Sequence, residues 1–163
     1  MNHYALTAAI LAEAQRTRTT IYSTGTAASL RALSTPEASA PAPLNASELT
    51  LLLNRLLPGI LAGVGQAREA FGDRKLSGTE AAALATTILG IVSAAVRDGA
   101  PLVKGTSAYA LVGLIFGVVF DQVVTPLLPL WVRPFAGLIK AGVLRGLEGL
   151  YRTVIKRKSV VTP

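Results

Sequence analysis

Apolar residues recur at helical spacing through most of this chain, and one run stands apart from the rest. Tyr109 to Trp131 (YALVGLIFGVVFDQVVTPLLPLW) is 23 residues with a single formal charge, Asp121. Before it, Tyr4 to Gln15 reads as a short helix. Leu49, Leu52, Leu53, Leu56 and Leu57 then mark one face of a second helix. Asn45 and Glu48 have the spacing of a capping box at its start. Pro58 predicts a kink or a break, with a second piece from Gly59 to Phe71 ending at Gly72. Asn54, Arg55, Gln66, Arg68 and Glu69 mark this pair as amphipathic rather than membrane-spanning. A second capping box, Ser77 and Glu80, opens an apolar helix from Gly78 to Val96, which Arg97-Asp98-Gly99 and Pro101 close. From Pro134 to Lys156 the pattern is amphipathic again, with Arg133, Lys140, Arg145, Glu148 and Arg152 on one side.

Length decides how the apolar helices are read. Ala81 to Val96 holds 16 uncharged residues, which reach ~24 Å, short of a hydrocarbon core of ~30 Å. The helix from roughly Thr106 to Thr125 is about 20 residues, enough to cross. Pro126 and Pro129 end that span or kink it. If the helix continues through them, Tyr109 and Trp131 lie ~33 Å apart, each ring at a membrane interface. Asp121 falls in the last third, as a helix-end carboxylate at the headgroups. The alternative for Asp121 is an ion or proton site, or a partner for a basic residue such as Arg133.

The expected fold is therefore all-α and membrane-associated. An apolar hairpin (about 78–96 and 106–125) is followed by a basic amphipathic surface helix. Five segments result: an N-terminal arm with a short helix (1–33), a Pro/Ala/Ser linker (34–44), kinked amphipathic helices (45–72), an apolar membrane region (73–132), and a basic helix and tail (133–163).

Charge sharpens this picture. The formal net charge is +7, and residues 133–163 carry seven basic residues against Glu148 alone. Arg133, Lys140, Arg145, Arg152, Lys156, Arg157 and Lys158 are the expected contacts to an anionic lipid surface. The positive-inside rule then puts the C-terminus on the cytoplasmic or equivalent inner side. Only 15% of residues are charged, against about 25% in an ordinary soluble domain. Nucleic acid is a poor partner, because Tyr151 is the one aromatic near the basic cluster and no binding motif is present. The N-terminal stretch, with Arg16, Arg18 and Arg31, also has the flavour of a transit peptide, but a docking terminal helix is the stronger reading.

Candidate chemistry adds little. There is no cysteine and His3 is the sole histidine. No phosphate loop, dinucleotide fingerprint, nucleophile elbow or His-based zinc motif occurs. No catalytic, cofactor or metal residues are expected, and the chain reads as a non-enzyme. Three Gly-x-x-x-Gly spacings occur, Gly59/Gly63, Gly113/Gly117 and Gly142/Gly146. Gly113 and Gly117 sit in the apolar context where this spacing lets helices pack closely. The expected role is a structural or assembly subunit of a membrane-associated complex, such as a membrane-containing virion, with a bilayer and other protein subunits as partners. In layout alone, residues 78–158 are similar to small phage holins, with apolar helices and a basic tail, which implies a membrane-permeabilising alternative. A soluble helical adaptor buried in a large assembly is the second alternative.

Overall fold

The computed structural model describes residues 2–23, 42–72, 75–100, 103 and 105–159, with the side chains of 23, 42 and 150–159 excepted. Five helices carry the fold: α1 (His3–Arg16), α2 (Ala46–Phe71), α3 (Gly78–Gly99), α4 (Thr106–Val123) and α5 (Ala136–Ser159). Residues 24–41, which hold most of the expected linker, lie outside the described residues.

Local chemistry sets the helix starts. Asn2 accepts from the Tyr4 amide at 3.1 Å and opens α1. Asn45 accepts from the Glu48 amide while Glu48 accepts from the Asn45 amide, both at 2.9 Å. Ser77 and Glu80 form the same reciprocal pair at the start of α3. Each box satisfies two of the amides that a helix start otherwise leaves bare.

Of the kink or break expected at Pro58, the break does not occur. α2 runs through it as one helix of 26 residues, Pro58 lying inside it and exposed. Proline removes one amide donor and crowds the carbonyl four residues back. Leu53, Leu57 and Ile60 are fully buried on either side of Pro58, so tertiary packing holds both halves in one continuous helix. As a consequence α2, like α3 and α4, is long and apolar enough to cross a membrane.

α4 is the centre of the bundle and packs against α1, α3 and α5. Leu111, Val112, Ile115, Phe116, Val119 and Phe120 are fully buried. The Phe116 and Phe120 rings meet at 5.8 Å in a tilted pair, a geometry that aromatic quadrupoles favour. α2 packs on α1 and α3. Their closest approach uses small residues: a Cβ on Gly63 would stand 3.0 Å from Ile91, and one on Gly99 would collide with Leu56.

The N-terminal segment is part of this core. Leu6 and Ile10 of α1 are fully buried, and Thr7 bridges to Asn54 of α2 at 3.3 Å. Tyr22–Ser23 then pairs antiparallel with Ala42–Pro43. The Tyr22 amide also donates to Ser107 Oγ at the head of α4, at 3.0 Å. The chain leaving α1 is thus tied to the starts of both α2 and α4.

Candidate membrane and subunit interface

The connection between α4 and α5 is a built corner. After Val123 the chain makes a 3-10 turn (Thr125–Leu127), then a second (Arg133–Phe135). Of the two courses open at Pro126 and Pro129, the chain takes the first: α4 ends at Val123, ahead of them, so Tyr109 and Trp131 are not the two ends of one helix. Several donors converge on the carbonyls of the first turn. Arg133 donates to Leu128 O and Pro126 O, both at 3.3 Å, and Lys75 Nζ donates to Pro126 O at 3.2 Å. The Leu76 amide donates to Leu127 O at 3.1 Å, pinning the corner to the start of α3.

Side chains of the corner fall into two sets. Leu127, Leu128, Val132 and Ala136 are buried. Leu130, Trp131, Phe135 and Leu138 point outward, at 79%, 74%, 54% and 70% exposure. Singly exposed apolar residues are ordinary. Four large ones within nine positions, on a braced turn, form a patch of the kind that marks contact surfaces.

A second feature lies where α1, α4 and α5 meet. Asp121 pairs with Lys140 of α5 at 2.8 Å, and Glu13 pairs with Arg16 on α1 at 2.7 Å. The carboxyl of Glu13 is held below the usual carboxylate range, first by its hydrogen bond to Arg16, with Lys140 adding a weaker pull. The Arg16 guanidinium is pushed up by Glu13, with Asp121 contributing. Glu13, Asp121 and Lys140 rim an open groove of about 340 Å³ whose lining includes Tyr109, Gly113 and Gly117. A further open groove of about 550 Å³ separates Leu89, Gly90 and Ser93 of α3 from Gly142, Val143 and Gly146 of α5. α5 therefore lies on the α3–α4 pair with unfilled space on both flanks.

The sequence-predicted residues are distributed differently from expectation. Asp121 is paired, but with Lys140 and not with Arg133, which spends its donors on the corner carbonyls. Lys140 accordingly turns toward α4, its side chain 28% exposed, instead of joining an outward cationic face. Arg145 is exposed. The side chains of Arg152, Lys156, Arg157 and Lys158 lie outside the described residues, although α5 covers their backbone. Tyr109 is half-buried against the core, whereas Trp131 is exposed. No atom stands within 4 Å of a Cβ built on Gly113 or Gly117, so no described part of this chain packs on them. Of the three Gly-x-x-x-Gly spacings, the residue packed against a neighbouring helix is Gly63.

Three helices, Ala46–Phe71, Gly78–Gly99 and the stretch Thr106–Leu127, have the length and apolarity to cross a membrane. Within the folded bundle, 56% of the last is buried by the chain itself, against 33% of the first. Comparison with family models, curated proteins and solved structures finds no match for this chain.

Proposed function

We propose that this protein is a non-enzymatic structural or assembly subunit of a membrane-associated complex. The observation that carries the reading is the presence of three membrane-competent helices among the described residues. Their length and apolarity match the thickness of a hydrocarbon core. The exposed corner at Leu130–Leu138 and the unfilled grooves beside α5 add surface suited to neighbours. Recovery of the tagged chain from solubilised membranes with partners at fixed stoichiometry supports this role. Recovery alone, with abrupt arrest of respiration on expression, favours the membrane-permeabilising alternative instead.

The finer proposal is that α3 and α4 cross the bilayer as a hairpin, with the basic C-terminal segment on the inner side. In the closed bundle, Glu13 and Arg16 of α1 and Lys140 of α5 stand on helices packed beside α4, which itself carries Asp121 near its C-terminal end. Each charge at mid-membrane costs about 2.5–3.5 kcal/mol on insertion scales. Crossing therefore requires α1 and α5 to carry their charges away from α4, with Asp121 at the headgroup boundary. Membranes washed with alkaline carbonate retain the chain if this hairpin crosses, and release it if the bundle rests closed on the surface.

A second reading, a soluble bundle held within a large assembly, is favoured by one observation. α4, the most apolar helix, is sheathed by α1, α3 and α5. A monodisperse, lipid-free chain in the soluble fraction would establish it.

A further inference from the structure

We propose that the Leu130–Leu138 corner is the surface by which the folded bundle docks on an anionic lipid leaflet. The inference rests on the membrane reading above and adds the partner's charge and the point of contact. The tip carries Leu130, Trp131, Phe135 and Leu138, all exposed. Trp belongs at the headgroup boundary, because its ring is apolar and its N–H is a donor. Beside the tip stand Arg133 and Lys75, both exposed; Arg133 donates to the carbonyls of Pro126 and Leu128, and Lys75 to that of Pro126. A guanidinium has five donors and an ammonium three, so each retains capacity for a phosphate oxygen.

Charge complementarity selects the leaflet over an apolar protein partner. From Gln122 to Leu147 the chain has no Asp or Glu, while Arg133 and Arg145 fall in that interval, as does Lys140, whose charge is matched by Asp121. An apolar tip on a cationic base matches the boundary between acyl chains and anionic headgroups. The corner is also braced, through Arg133, Lys75 and the Leu76 amide. Docking there orders little new chain, and the apolar side chains are presented before any lipid arrives. Because the corner is outside the helical core, this contact needs no opening of the bundle.

Trp131 is the one tryptophan of the chain, so the full-length protein reports on its own tip. The experiment uses phosphatidylcholine vesicles with and without phosphatidylserine, carrying acyl chains brominated at shallow or deep positions. Trp131 emission is expected to shift to the blue on the anionic vesicles, with stronger quenching from the shallow bromines. Added salt should weaken the partition, as screening requires. A double change, Leu130→Ser with Phe135→Ser, should weaken partition by about tenfold or more, given the apolar area removed. Leu51→Ser, an exposed site on α2, should leave it unchanged. Vesicle binding with unshifted, unquenched Trp131 overturns the corner while leaving the membrane reading intact. Equal binding to neutral vesicles overturns the anionic partner. A blue shift with concentration in the absence of vesicles overturns the proposal in favour of self-association. Failure to bind either vesicle overturns both the corner and the reading on which it rests.

Discussion

Phe116 has no exposed surface and meets the Phe120 ring in a tilted pair within α4. Phe116→Ala removes both rotamer-locked bulk and the ring pair, and should cost about 3–5 kcal/mol in denaturant unfolding. The ion pair near it is a weaker element. Asp121 and Lys140 are 57% and 28% exposed, so Asp121→Asn should cost at most about 1 kcal/mol. Glycines separate into two kinds. Gly113→Ala and Gly117→Ala place a Cβ in open groove and should each stabilise by about 0.5–1 kcal/mol through helix propensity. Gly63→Val instead drives its branches toward Ile91 and should lower the unfolding midpoint. Glu13 supplies a pH signature. Its folded carboxyl ionises more readily than the unfolded one because of Arg16, so its stabilisation is present above the ordinary carboxylate range. That contribution is lost as pH falls through the depressed folded value. Thermal unfolding across this acid range should show a small decline that Glu13→Gln reduces.

Among the elements, α2 shows how local rules and packing compete. Pro58 interrupts the hydrogen-bond ladder at Asn54 O, yet α2 is continuous. Pro58→Ala should restore that bond and stabilise the helix, by up to about 3 kcal/mol, read by circular dichroism in denaturant. Ser77→Ala, by contrast, removes a cap that the structure uses and should cost about 1 kcal/mol. Both capping boxes were legible in the sequence, because they are written within four residues. The helical class and the position of α3 and α4 were legible for the same reason: periodicity is local. The continuity of α2 was not, since it depends on Leu53, Leu57 and Ile60 being buried by other helices. Nor was the partner of Asp121, which lies 19 residues away on α5. The outward corner could have been glimpsed in the clustering of Leu130, Trp131 and Phe135 beside prolines. Its bracing by Lys75 could not, because that contact spans 51 residues.

At the scale of the whole molecule, apolarity alone does not separate a helix buried in protein from one buried in lipid. α4 has the composition of a membrane span and the position of a bundle core. Both facts fit a subunit that meets the membrane through its braced corner and exposes α3 and α4 only when α1 and α5 lift away. The measurement that bears most directly on the central claim is flotation of the purified full-length chain on a density gradient with anionic vesicles and no other protein. The account predicts that the chain rises with the vesicles. A chain that remains at the bottom of the gradient as a monodisperse species would contradict it.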